Sequence, residues 1–100
     1  MKSLWLEGNG ICEISGLEAQ AELRMLYLQQ NTIARIENLS HLSKLVTINL
    51  ANNLIREVTG LRGLDNLKNI DLGANMIQST AACEELLYLP SLSILDMKNN

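Results

Sequence analysis

The amino-acid sequence predicts an α/β solenoid: short parallel strands on a concave face, 3₁₀ or short helical returns on a convex face, and one longer helix near residues 80–89. Three observations predict it. Apolar residues recur with a step of 22 residues, they alternate with period 2 over short stretches, and an asparagine stands at one fixed place in each step. A period of this length decides the architecture ahead of local propensity, because so short a unit cannot bury its apolar face alone and must stack on its neighbours.

Laid out from Met1, Leu23, Leu45, Leu67 and Leu92, the chain advances by 22, 22, 22 and 25 residues. Each segment follows LxxLxLxxNxL, the leucine-rich repeat pattern. The second unit is the cleanest, with Leu23, Leu26, Leu28, Asn31, Ile33, Ile36, Leu39 and Leu42 in the expected slots, and the third matches it from Leu45 to Leu64. The units are 1–22, 23–44, 45–66, 67–91 and the partial 92–100, all in one domain spanning 1–100. Solenoids carry capping elements at their ends. The open first and last units therefore lead us to expect a piece of a longer protein.

Within each unit the period-2 stretch must be a strand with one side in the core and the other in solvent. Five strands are expected near residues 3–7, 25–29, 47–51, 69–73 and 94–98. Asn9, Asn31, Asn53, Asn75 and Asn100 then form a ladder where the chain leaves each strand, and an amide with both donors and an acceptor can satisfy turn groups otherwise buried unpaired. We read them as structural. Apolar residues three apart after each Asn suit a tight 3₁₀-like return. In the fourth unit, Ser79 and Thr80 as a start, Glu84 and Glu85 in the opening turns and Pro90 as a stop predict an α-helix of about eight to ten residues. Gln20 stands in the slot held by Leu42 and Leu64. Its amide must find partners there or stay wet at an open edge.

Aromatics make up 3% of the chain and Phe is absent, so the core must be aliphatic. A net charge of −3 leaves no basic excess to neutralise phosphates or dock on an anionic membrane, which argues against nucleic-acid and membrane partners. No apolar run is long enough for a membrane span or signal peptide, and two distant cysteines are no disulfide framework; a cytoplasmic protein is expected. Cys83 falls in an inward slot and Cys12 on the outer return, about 14 Å apart along the stack and beyond disulfide reach. The single histidine, His41, lies between Ser40 and Ser43 without an acid partner and reads as a solvated surface residue. No nucleophile, base and orienter converge, and the Cys and His spacing suits no metal. The expectation is a non-enzyme with no cofactor, no metal and no small-molecule substrate.

The solvent-facing strand positions are not fixed by the core. One column reads Trp5, Tyr27, Asn49, Asp71 and Asp96; the next reads Glu7, Gln29, Ala51, Gly73 and Lys98; the preceding one reads Ser3, Met25, Thr47, Asn69 and Ile94. Trp and Tyr side by side on a wet face are typical anchors of protein interfaces. Trp5, Glu7, Met25, Tyr27, Gln29, Asn49, Asp71 and Asp96 are therefore the candidate partner-binding residues. The alternative is that Trp5 and Tyr27 stack as a cross-strand pair covering an end, or touch a flanking segment.

The 22-residue unit with Ile in its return slots resembles the repeats of a regulatory subunit of protein phosphatase 1 and of an axonemal dynein light chain. The stretch from residue 4 to 39 is more particular. Leu4–Trp5–Leu6 with Asn9–Gly10–Ile11, Leu17 to Gln20 followed by Leu23, Arg24, Leu26, Leu28, Gln29 and Asn31, and Ile36 to Leu39 resemble the N-terminal repeats of the dynein axonemal assembly factor 1 family. Ser15–Gly16 and Thr80 depart from that pattern. The resemblance implies a non-catalytic cytoplasmic scaffold for preassembly of dynein arms of motile cilia or flagella, with dynein chains and chaperone machinery as partners. The alternatives are a phosphatase-regulating repeat protein and a structural axonemal protein bound to dynein or tubulin.

Overall fold

The computed structural model describes residues 3–78, 81–98 and 100. Five strands, β1 (Ser3–Trp5), β2 (Met25–Tyr27), β3 (Thr47–Asn49), β4 (Asn69–Asp71) and β5 (Ile94–Asp96), form one parallel sheet in sequence order. The register follows the repeat: Leu4 pairs with Leu26, Leu26 with Ile48 and Ile48 with Ile70 at steps of 22, and Ile70 pairs with Leu95 at 25. The central residue of each of the three middle strands, Leu26, Ile48 and Ile70, is buried.

The strands are three residues long rather than five. Backbone bonding to the next repeat continues beyond them, as in Leu6 N–H to Tyr27 O (2.8 Å) and Gln30 N–H to Ala51 O (3.0 Å). The chain nevertheless turns away at a left-handed residue that recurs once per repeat: Gly8, Gln30, Asn52 and Ala74, with φ between 54° and 67°. A strand cannot run through that conformation.

The convex returns of the first three repeats are not 3₁₀ helices but single turns placed end to end. Leu17 O accepts from Gln20 N and Gln20 O from Leu23 N; Leu39, Leu42 and Leu45 repeat the arrangement, as do Leu61, Leu64 and Leu67. Each turn spans three residues, so every third side chain faces inward, and Leu39, Leu42, Leu61 and Leu64 are fully buried. Gln20 keeps the turn through its backbone, while its side chain is only half-buried on the outermost repeat. That explains how a glutamine occupies a leucine slot.

The fourth return is helical, but the expected α-helix is a 3₁₀ helix, Ala81–Tyr88. Ser79 and Thr80, read as its start, lie outside the described residues, as does Met1, the expected origin of the repeat frame. The correction has a physical cause. The inward residues Cys83, Leu86 and Leu89 are spaced by three, which matches three residues per turn and brings i and i+3 into line; an α-helix would swing them 60° apart at each step. The turns then continue through Leu86, Leu89 and Leu92 as in the earlier repeats.

The core is the expected aliphatic column: Leu26, Leu28, Ile33, Ile36, Leu39 and Leu42 in one repeat stack on their counterparts in the next. Leu4, Leu6 and Ile11 at one end, and Leu86, Leu92 and Met97 at the other, are only partly buried.

Candidate protein-docking face

The ladder asparagines fix where each strand ends. Asn53 is nearly fully buried; its Oδ1 accepts from Ile33 N (3.0 Å), and its Nδ2 donates to Leu28 O, Leu50 O and Ala51 O (3.0, 3.0 and 3.2 Å). Asn31 accepts from Asn9 N and Ile11 N, Asn75 from Ile55 N, and Asn100 from Asn75 N and Ile77 N, each donating to carbonyls of its own and the preceding repeat. Asn9 differs. It is exposed, and among the described residues its side chain reaches only Glu7 O (3.3 Å).

A second set of polar contacts crosses the convex side. Gly16, Asn38 and Gly60 share a left-handed φ of 62–76°, so Ser15–Gly16 keeps the backbone of the Asn38 turn despite its different sequence. Asn38 Nδ2 donates to Ile14 O (2.6 Å). His41, expected to be merely solvated, is exposed yet donates from Nε2 to Leu17 O (2.7 Å), clipping the second return to the first. Glu85 Oε1 accepts from Leu61 N and Arg62 N (2.6 and 2.9 Å), so a helix-dipole carboxylate also caps the neighbouring return. The Arg62 guanidinium lies 4.3 Å from the Tyr88 ring centroid, on one wall of a groove of about 540 Å³. The sequence reading missed Asn38, His41 and Glu85. Asn38 alone carried a signal, since it sits where Gly16 and Gly60 do.

Cys12 is exposed, while Cys83 is half-buried against the core, where burial pushes its thiol pKa up. Among the described residues no group of three metal-ligating side chains converges.

The concave face is graded along its length. Trp5 is 60% exposed and stacks on Tyr27 with centroids 4.0 Å apart and planes within 12°. Met25 stands beside them, its Sδ accepting from Tyr27 Oη at 3.5 Å. The cross-strand stack and an exposed apolar cluster are thus both present. Further along the same column the residues turn inward on their own backbone: Asn49, Asp71 and Asp96 each accept through Oδ1 from the N–H two residues on, at Ala51, Gly73 and Lys98, all at 3.0 Å. These three residues, picked out as partner contacts, hold a turn as well. Glu7 and Gln29 are half-buried on the next column, and Gln29 Oε1 is a buried acceptor without a donor among the described residues. Gly73 sits in a tight spot: a Cβ there would meet Asp71 Oδ1 at 3.2 Å, Lys98 O at 3.3 Å and Asp96 Oδ1 at 3.7 Å.

A family model described as leucine-rich repeats, in two copies, matches residues 21–63. With the parallel ladder, the aliphatic column and the buried asparagines, that decides the fold. The chain is a leucine-rich repeat solenoid. A comparison with curated proteins found no match. Leucine-rich repeat solenoids typically serve as non-catalytic scaffolds for protein–protein interaction, and the curvature set by stacking makes the concave sheet an extended binding surface. In this solenoid that surface carries its largest exposed side chains at the β1–β2 end and carboxylates at the β4–β5 end.

Proposed function

We propose that this leucine-rich repeat solenoid is a non-catalytic docking module that grips a protein partner on its concave sheet, anchored by Trp5, Met25 and Tyr27. The observation that carries the reading is the Trp5–Tyr27 stack, which keeps a tryptophan 60% exposed on an ordered, strand-borne platform. A pre-positioned aromatic pair loses little conformational freedom on contact, and Trp and Tyr dominate the energetics of interfaces. Glu7, Gln29, Asn49, Asp71 and Asp96 complete the face.

The resemblance of residues 4–39 to dynein axonemal assembly factor 1 supports a finer reading: a cytoplasmic scaffold for preassembly of axonemal dynein arms, engaging dynein chains and chaperones. The test is co-purification from ciliated cells of the chain and of its Trp5→Ala/Tyr27→Ala variant. Recovery of dynein heavy chains by the parent and their loss by the variant, at a melting temperature within a few degrees, supports both levels. Recovery of a phosphatase catalytic subunit in their place keeps the docking face and overturns the dynein reading. Unaltered recovery by the variant sinks the docking face itself.

A further inference from the structure

We infer that the concave face is built for an arginine-bearing extended segment of its partner, with one guanidinium seated between the free face of Tyr27 and the carboxylate of Asp71. This deepens the docking reading and rests on it. Neighbouring strands lie about 4.8 Å apart. Rings carried by adjacent strands and stacked at 4.0 Å therefore stand on edge on the sheet, with their planes across the stacking direction. Trp5 covers one face of Tyr27, and the other looks along the column over Asn49 toward Asp71. Tyr27 and Asp71 are two strand spacings apart, about 10 Å. A guanidinium set edge-on over the ring, with its opposite N–H edge turned to the carboxylate, spans that distance, whereas a compact ammonium can meet only one of the two.

The surroundings fit a cation. Asp71 uses Oδ1 for Gly73 N, leaving its second oxygen for an incoming donor, and Asp96 repeats this one strand on. Ala51 and Gly73 keep the floor low. Among the described residues the one ion pair of the chain, Lys44–Glu22, is elsewhere, and neither Asp71 nor Asp96 is paired with a basic side chain. Lys98, beside Asp96, meets it through its backbone N–H. Arg24 and Lys68 precede the strands, on the opposite margin of the sheet, so the acidic margin is the one the column of Trp5 and Tyr27 shares. In a polyproline-II-like extended segment, where residues three apart share a face and lie about 9 Å apart, a second basic residue three positions on would reach Asp96.

The experiment uses the protein's single tryptophan as its reporter. The probe is a short glycine–serine peptide with two arginines about three positions apart, titrated while Trp5 emission is followed. Controls carry two lysines, two glutamates or two serines. Asp71→Asn/Asp96→Asn is the decisive variant: Asn49 already makes the same turn bond with an amide oxygen, so the double change removes charge and keeps the fold, as the melting temperature will show. The expected result is a saturable change with the arginine peptide, a weaker one with lysine and none with serine or glutamate. The variant should weaken arginine binding about fivefold, and about 0.5 M salt should do likewise. A glutamate or serine peptide acting equally well, an arginine peptide without effect, or a variant that binds as the parent does would overturn the inference. The docking reading stands or falls separately on partner capture by the Trp5→Ala/Tyr27→Ala variant, which is blind to charge.

Discussion

Asn53→Ala tests whether the asparagine ladder carries the fold. The side chain is 4% exposed and makes four contacts: one accepted from Ile33 N and three donated, to Leu28 O, Leu50 O and Ala51 O. Alanine replaces none of them. It strands a buried N–H in one repeat and carbonyls in two, and each buried polar group left unpaired costs about 1–3 kcal/mol. Allowing partial relaxation around the smaller side chain, the loss is about 3–5 kcal/mol, a large part of the 5–15 kcal/mol typical of a whole domain. Asn9→Ala is the internal control. The residue holds the same slot, but it is exposed and among the described residues reaches only Glu7 O, so the change should cost no more than about 0.5 kcal/mol. Asn53→Asp separates donor from acceptor, since it keeps the bond from Ile33 N and turns oxygen lone pairs on Leu28 O and Leu50 O; it should still lose most of the stability at neutral pH. Urea unfolding followed by far-ultraviolet circular dichroism reads all three. An Asn53→Ala cost within about 1 kcal/mol of the Asn9→Ala cost would show that neighbouring backbone or water replaces the amide, and the argument from unpaired groups would fail.

Leu50→Ala removes a fully buried aliphatic from the middle of the stack and should cost about 2–5 kcal/mol in the same assay. Two backbone changes should have opposite signs. Gly60 has φ +76°, and a Cβ there would lie 2.4 Å from Ile36 O, so Gly60→Ala should destabilise by at least about 2 kcal/mol. Ala74 already holds a left-handed φ of 54° with a Cβ, so Ala74→Gly should gain up to about 1 kcal/mol, the relieved strain exceeding the extra freedom of glycine in the unfolded chain. Finally, the Lys44 ammonium hydrogen-bonded to Glu22 holds that carboxyl below the ordinary glutamate pKa. A depressed folded pKa adds stability above the unfolded value and loses it as pH falls through the folded one. Lys44→Met should therefore lower the melting temperature slightly at neutral pH, and the difference between the two chains should shrink as pH falls through the depressed pKa of Glu22.

The solenoid was legible in the sequence because a repeat states each structural demand several times. Leu26, Ile48 and Ile70 ask for burial at one place, and Asn31, Asn53 and Asn75 for a polar turn at another, so a single exception such as Gln20 does not disturb the register. The misread helix type falls where the demand is stated once. The fourth return has no second copy, and its Glu, Ser and Pro signals suit an α-helix; only the three-residue spacing of Cys83, Leu86 and Leu89, set by the step of the stack, selects the tighter helix. Likewise Asn38, His41 and Glu85 reach carbonyls or amides 24 residues away, and no local pattern announces a bond whose partner lies in another repeat.

The candidate docking face was legible in a different sense. The concave columns could be written down because the strand period fixes which residues face solvent, but their chemistry depends on whether the side chain is spent on the backbone beneath it. Asn49, Asp71 and Asp96 each hold the turn two residues on, and an amide does that work as well as a carboxylate. The turn therefore explains a short polar acceptor at all three positions without explaining charge at two of them. Trp5 and Tyr27 supply no such bond, so the first two repeats complete the same turn without a side-chain acceptor and devote the column to an exposed aromatic stack. The parts of the column that folding does not account for are the two rings at one end and the two negative charges at the other. The inferred arginine-bearing segment would use both, with one guanidinium between Tyr27 and Asp71 and a second basic residue at Asp96.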